Sequence, residues 1–485
     1  MHEGTMMTFP LNKTKIVCTI GPASNSREVM EGLLLAGMNI ARLNFSHGDF
    51  SGHRDVIENL RAAAGATGRR LAIMADLPGP KMRIGEFGSE PIDLNPGDRF
   101  TLTTDDIVGD AQRVSVTFTH LPRVVKPGDP LYLNDGLIQI DVEQVEGNDV
   151  HCRVVVGGEL RSRKGLNLPD IDLGINAFTE HDQKCMKFAL ENGVDAVSQS
   201  FVENAGDIHA VRHAAAALGY KPFVIAKIER SRALQHLEDI IMASDGVMIA
   251  RGDLGVELPI EQIPVVQKQI MRKANMWAKP VITATQMLES MTSNRRPTRA
   301  EANDVANAIL DGTDAVMLSG ESAMGSYPVD SAAMLAKIAA AIEPYRTMMS
   351  PRELFQGIDL KGKVPPAKLI DLGVETILEY ADPAAVFVPT RSGDTARSIA
   401  RFRLPIWIVA VSSQEATCQQ LQFSSGVCPV CEEDHPESWK SYVAEWLKAE
   451  GIAGKLAVVT EGPSSKHPDA NNRLEIVDLR GLENT

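Results

Sequence analysis

Cationic charge is in deficit along this 485-residue chain, where 49 Lys and Arg stand against 63 Asp and Glu for a formal net charge of −14. Such a surplus repels nucleic-acid phosphates and anionic lipid, so neither is expected as a partner, and any anionic ligand requires a local basic pocket. Cysteine is scarce as well, with six residues at positions 18, 152, 185, 418, 428 and 431. So few thiols in so long a chain exclude a disulfide-stapled scaffold and fit a reducing compartment. Apolar runs long enough to span a bilayer, about 18 residues, are missing, and the first fifteen residues hold no signal-type apolar segment. A cytoplasmic location is expected. Repeats and low-complexity tracts are lacking, and with 38 Gly, 27 Pro and 44% hydrophobic residues the composition excludes disorder, collagen and coiled coil.

What is present is a rhythm. Short apolar runs at 13–19, 38–45 and 71–77 alternate with longer stretches rich in Ala, Leu and charge, which reads as βαβ. The rhythm pauses near Arg83 and resumes near Phe178, with buried-strand candidates at 196–201, 223–228, 246–250, 281–285 and 315–319. Eight strands close a TIM barrel. Between Gly85 and Asn176, turn signals such as Asn95-Pro96-Gly97-Asp98 and Asn134-Asp135-Gly136 separate period-2 alternation at 131–145 and 151–156, as in an inserted antiparallel β-barrel lid. A Pro/Gly-bearing stretch (Pro351, Gly357, Gly362, Pro365, Pro366) precedes strand candidates at 385–388, 406–411 and 456–459, a C-terminal α/β domain. The expected division is 1–83 and 177–346 for the barrel, 84–176 for the lid and 347–485 for the C-terminal domain.

Barrel chemistry collects at the C-terminal ends of the strands. There the chain offers Arg42, Asn44 and Ser46 after strand two, Asp76 in strand three, Lys227 and Glu229 in strand five, and Arg251-Gly252-Asp253 after strand six. Strand seven ends in Thr283 and Thr285, strand eight in Ser319 and Glu321. Glu229 and Asp253 on adjacent strands suit a hard divalent cation, Mg²⁺ or Mn²⁺. The plainer reading pairs each carboxylate with Lys227 or Arg251. Lys227 shares a face with Glu229 and supplies a fixed cation for developing negative charge, or else simply an ion pair. Arg42 and Arg83 carry forked donors for phosphate oxygens. The Gly252 to Gly255 segment, read as turning into a helix, offers free amides for a carboxylate. Cys428-Pro429-Val430-Cys431 lacks a second ligand pair, which favours two ordinary thiols over zinc.

The segments TKIVCTIGPAS (14–24), ARLNFSHG (41–48), AKIER (226–230), ASDGVMIARGDLGVE (243–257), PVITATQMLESM (280–291) and RPTRAEANDVANAILDGTDAVMLSGE (296–321) closely resemble the pyruvate kinase family. The resemblance runs densely over residues 13–345 and implies transfer of the phosphoryl group from phosphoenolpyruvate to ADP, giving pyruvate and ATP. It places the divalent cation on Glu229 and Asp253, and the phosphoryl group near Arg42, Lys227 and Arg83. The substrate carboxylate meets Gly252, Asp253 and Thr285, and a water chain involving Thr285 and Ser319 protonates the enolate. Pro22, Asn44, His53 and Arg83, with Lys164 from the lid segment RSRKGLNLP (161–169), match nucleotide positions. The family also implies a homotetramer.

Two departures alter the expectations. Where many members read DTKGPEIR this chain reads DLPGPKMR (76–83). The resemblance puts a monovalent cation among Asn44, Ser46, Asp76 and the Leu77 carbonyl. Lys81 stands where the Glu associated with K⁺ dependence is found, so K⁺ is not expected to be required; the competing reading turns Lys81 outward with K⁺ still bound. In PTRSGDTARSIARF (389–402), Thr390, Ser392 and Thr395 resemble a phosphate-binding effector loop, but Asp394 adds an anion, leaving a sugar monophosphate or no effector. The segment 460–472 departs from known effector loops. Against an active kinase stand two alternatives, a Mg²⁺-dependent pyruvate aldolase-like barrel and a catalytically silent effector-binding protein on this fold.

Overall fold

The computed structural model describes residues 10–349, 366–433, 436–462 and 472–480. Of the Pro/Gly stretch after the barrel, 351–365 lies outside them, as does most of the expected departure from the effector loop, 463–471.

Eight parallel strands close into a barrel: Lys15–Thr19, Ile40–Asn44, Ala72–Leu77, Ala196–Gln199, Phe223–Ile228, Gly246–Ala250, Val281–Ala284 and Ala315–Leu318. Each neighbours the next in chain order, and the first pairs with the last through Lys15↔Ala315 to Cys18↔Leu318. Most of these residues are buried, because helices cover the outside and side chains fill the inside; the strands therefore read as near-continuous apolar runs. The helices begin where polar side chains take up orphan amides. Thr179 and Asp182 form a capping box for Glu180–Glu191, as Asn204 and Asp207 do for Ala205–Ala217 and Thr298 and Glu301 for Arg299–Leu310.

Between strand three and the helix Glu180–Glu191, the chain builds a six-stranded sheet and a two-stranded ribbon, Ile92–Leu94 with Gly158–Leu160. The six-stranded sheet is antiparallel except where Arg99–Thr103 runs parallel to Arg113–Ser115. It has its own core around Phe100, Leu102, Leu131, Ile138, Ile140 and Val150.

The C-terminal sheet has five strands, with Ala385–Pro389 between Trp407–Ser412 and Leu456–Glu461, and edges formed by Val427–Cys431 and Arg473–Asp478. It grips the barrel at the N-terminal ends of the strands. Arg403 donates to both carboxylate oxygens of Asp314, at 2.8 and 2.7 Å. Lys15 Nζ donates to the Val427 carbonyl at 2.7 Å, and Phe423 stacks on Phe223 with ring centroids 5.0 Å apart. The opposite mouth is left to the inserted sheet and the polar side chains.

Candidate active site

One buried network joins strands two, three, four and five at the barrel mouth. Asp76 lies at its centre, 2% exposed. Its Oδ2 receives Arg42 Nε at 2.7 Å and Nη2 at 2.5 Å. Its Oδ1 receives Ser198 Oγ at 2.7 Å and lies 3.3 Å from Lys227 Nζ. Arg42 is held from its other side by Thr19 Oγ1, 2.9 Å from Nη1. Lys227 Nζ donates to Ser200 Oγ at 2.7 Å and lies 2.8 Å from Glu229 Oε1. Ser200 passes its own hydrogen to the Leu77 carbonyl at 2.7 Å, and the Phe201 amide donates to Glu229 Oε2 at 2.8 Å.

The strand pleat explains the convergence. Residues i and i+2 share a face, so Lys227 and Glu229 emerge together, as do Ser198 and Ser200. The register Ser198↔Asp76 lays strand four beside strand three at the level where the charges meet.

The charges set one another. Burial alone drives the Lys227 ammonium down, but Asp76 and Glu229 outweigh it and hold the group above its ordinary value. Burial pushes Asp76 up, and Lys227 with Arg42 overrides it, keeping the carboxyl below its usual range. Glu229 goes the other way: burial raises it, Lys227 opposes, and the nearby Asp253 raises it further. Glu229, 1% exposed, and the nearby Asp253 together form a hard oxygen donor set suited to a divalent cation. Glu229 pairs with Lys227, as the plainer reading had it; Arg251 instead pairs with Asp304 at 2.8 Å and leaves Asp253 free of it.

The next two strands supply a second patch. After strand six the chain turns into the short helix Arg251–Glu257. The Gly252 amide donates to Thr285 Oγ1 at 2.8 Å, and Thr285 donates to the Ala284 carbonyl at 2.6 Å. Thr285 and Gln286 adopt φ of 67° and 54°, a conformation unfavourable for a β-branched residue and found where surroundings over-determine the backbone. Part of that determination comes from Glu321. Fully buried, it accepts the amides of Leu288 at 3.0 Å and Ser319 at 2.7 Å, tying the ends of strands seven and eight together.

The remaining expected residues ring the mouth without joining the network. Asn44 Oδ1 accepts the Ser46 amide at 3.1 Å. His53 Nε2 lies 2.9 Å from the His47 carbonyl, and its ring stacks on Phe45. Pro22 is exposed. Arg83 Nη1 donates to the Arg163 carbonyl at 2.7 Å, and the Lys164 carbonyl accepts the Ile84 amide at 2.9 Å, so the 161–169 segment is fastened beside Arg83. The Lys81 side chain is exposed and makes no hydrogen bond or ion pair among the described residues, its backbone amide donating to the Gly79 carbonyl at 2.8 Å. The mouth is locally basic in this acidic chain: partial burial lowers His47, and the charges of Lys81, Arg83 and Arg42 lower it further.

In the C-terminal loop, Ser392 Oγ donates to Asp394 Oδ2 at 2.8 Å, and Thr390 Oγ1 accepts the Gly393 amide at 2.9 Å. Arg397 reaches Ser392 O and Asp394. The hydroxyls of Thr390 and Ser392 are thus turned to their own loop, while Thr395 is half-buried in the first turn of the helix Asp394–Ala400.

Sequence reasoning missed four residues of the site. Thr19, Ser198 and Ser200 hold Arg42, Asp76 and Lys227; the signal was Ser-Gln-Ser inside an otherwise apolar strand. The fourth, Arg230, is 1% exposed and clasps the returning lid segment through the Leu168 and Ile171 carbonyls at 3.2 and 2.9 Å.

Comparison with known proteins identifies the family and agrees with the fold. The family model for the pyruvate kinase barrel domain matches residues 11–332, and that for the pyruvate kinase alpha/beta domain matches residues 371–477. A pyruvate kinase of Thermococcus litoralis is 49% identical over 430 residues, 88% of this chain and 90% of the relative. One of Mycobacterium intracellulare is 43% identical, covering 85% and 86%. The crystal structure of a pyruvate kinase from Cryptosporidium parvum superimposes with a TM-score of 0.90 at 34% identity, over 97% of this chain and 96% of that one. The chain belongs to the pyruvate kinase family, with its catalytic barrel and its C-terminal α/β domain.

Proposed function

We propose that the mouth network transfers the phosphoryl group of phosphoenolpyruvate to ADP, with Lys227 as its central catalytic group. The observation that carries this reading is the buried Lys227 ammonium, held by Asp76, Ser200 and Glu229 and adjoined by Arg42 through their shared Asp76. Phosphoryl transfer asks chiefly for alignment and charge neutralisation. Arg42 and Lys227 neutralise the transferring group, Arg83 adds a forked donor, and Lys227 then stabilises the enolate oxygen. Glu229 and Asp253 would hold Mg²⁺ or Mn²⁺, which when bound would supply positive charge to offset that of the substrate. The substrate carboxylate takes the Gly252 amide from Thr285 Oγ1, with the Asp253 backbone amide and Thr285 beside it. Thr285 Oγ1, relieved of the Gly252 amide, then accepts from a water chain that, with Ser319, carries a proton to the enolate.

ADP enters along Pro22, Asn44 and His53, and movement of the inserted sheet brings Lys164 onto its phosphates and excludes water. We assign the units to 1–83 with 177–346, 84–176 and 347–485, in a cytoplasmic homotetramer. In the C-terminal loop Asp394 already engages Ser392 and Arg397, so a sugar-phosphate effector has to displace a built-in anion. Among the described residues no helix is long and apolar enough to cross a membrane.

K⁺ is proposed to be dispensable. The exposed Lys81 ammonium acts on the same His47 ring as Arg42 and Arg83 and supplies by a shift of its flexible stem the charge that a monovalent cation brings to Asn44, Ser46, Asp76 and Leu77. The test is pyruvate formation from phosphoenolpyruvate and ADP with Mg²⁺, with and without KCl at matched ionic strength. Equal turnover supports the proposal. Turnover only with KCl refutes the role of Lys81, and none in either buffer refutes the reaction.

A further inference from the structure

Far from the barrel mouth, three side chains of the C-terminal domain converge. Glu415, Cys418 and Cys431 each bring a ligand atom within 4.8 Å of the others. Glu415 and Cys418 lie three residues apart on the helix Glu415–Gln420, hence on one face. Cys431 ends the edge strand Val427–Cys431 and pairs in register with Ser412, the residue from which the chain turns toward that helix. The spacing of the Cys-X-X-Cys motif is misleading here. Cys428 lies within the field of Lys15 beside the barrel, while Cys431 meets Cys418, a partner that sequence separation conceals.

We infer that Glu415, Cys418 and Cys431 form a binding site for a thiophilic divalent cation such as Zn²⁺, completed by water. A tetrahedral ion about 2.3 Å from each sulfur holds the two sulfurs roughly 3.8 Å apart, a spacing the cluster reaches with small side-chain rotations. Cys431 and Glu415 are exposed, giving the ion an entry path, whereas Cys418 is buried and fixes the inner corner. The charges close as well. Two thiolates and a carboxylate on a divalent ion leave one negative charge, and Arg70, already ion-paired to Glu415 Oε1, balances it.

Without the ion, Cys418 Sγ donates weakly to the Val430 carbonyl at 3.6 Å. Burial holds that thiol up at about 12, so it is a poor nucleophile for oxidation, and a bound cation is what would draw its proton off. Because Arg70 leads into the third barrel strand, which carries Asp76, the ion would bridge the C-terminal domain to the base of a catalytic strand.

The experiment titrates the reduced, metal-free full chain with Co²⁺. One equivalent is expected to bind with thiolate-to-cobalt charge-transfer absorption and release of about two protons, since both thiols must ionise. Cys431→Ser, at an exposed position, is expected to abolish the band, and Glu415→Gln to weaken binding at least tenfold. Asp253→Asn should leave the band intact, separating this site from the oxygen ligands of the barrel mouth. Absence of the band at one equivalent, its persistence in Cys431→Ser, or recovery of a Cys418–Cys431 disulfide in place of metal binding would overturn the inference.

Discussion

Lys227 owes its position to residues whose own chemistry is modest. Ser200 accepts from the ammonium and donates to the Leu77 carbonyl, so its hydroxyl fixes both the height of Lys227 and the end of strand three. Ser200→Ala removes one hydrogen bond to a charged group, worth about 1.5–3 kcal/mol. We expect kcat to fall by roughly 10- to 100-fold with the circular dichroism spectrum unchanged. Steady-state assays showing kcat within twofold of wild type would contradict this positioning role. The charged members of the site were legible because Arg, Lys, Asp and Glu at the ends of apolar runs are costly to place there without use. The serines were not, since a hydroxyl in a strand satisfies itself locally as often as it serves a neighbour.

At the scale of elements, the eight barrel strands stood out because burial on both faces leaves little but apolar residues. Their boundaries agree with the structure to within about two residues, the usual disagreement at strand ends. Two C-terminal strands were missed for the opposite reason. Val427–Cys431 carries Pro429 and lies at one sheet edge, and Arg473–Asp478 lies at the other, with only Val477 buried; edge strands tolerate both features. The lid's return was invisible as well. It is held by Arg230 between Glu203 and Glu257, 3.5 Å from each, and by Ser231 Oγ, which donates to Asp170 at 2.6 Å.

That clasp has a pH signature. Burial raises Glu257 from its ordinary 4.5 to about 7, against Arg230 and the Ser231 hydrogen bonds, with Asp170 adding to the rise. Between these values the unfolded chain loses a proton that the native protein keeps, so this group's contribution to stability falls as pH rises, on the order of 3 kcal/mol in all. Denaturant titrations from pH 4.5 to 7 should show a flatter dependence in Glu257→Gln than in wild type. Parallel curves would show that Glu257 does not titrate there.

The whole molecule separates its two attachments. The inserted sheet arises after strand three and reaches the barrel mouth, whereas the C-terminal domain holds the strand beginnings through Arg403, Lys15 and Phe423. Phe423 even joins the apolar cluster inside the barrel floor, beside Met74, Phe223 and Met317. Arg403, 4% exposed, also donates to the Gly312 carbonyl at 2.6 Å. Arg403→Met leaves Asp314 buried without its cation and should destabilise the chain by about 3–5 kcal/mol. A denaturant midpoint equal to wild type would show that the junction does not depend on this pair. No such contact was readable from the sequence, because Asp314 and Arg403 are 89 residues apart and only the folded topology brings them together.

The central claim is that a buried ammonium at the end of strand five carries phosphoryl transfer, and it is tested most directly by the turnover of Lys227→Met. The account predicts pyruvate formation from phosphoenolpyruvate and ADP reduced by at least about 10³-fold, with the fold intact by circular dichroism. Turnover within tenfold of wild type would contradict it.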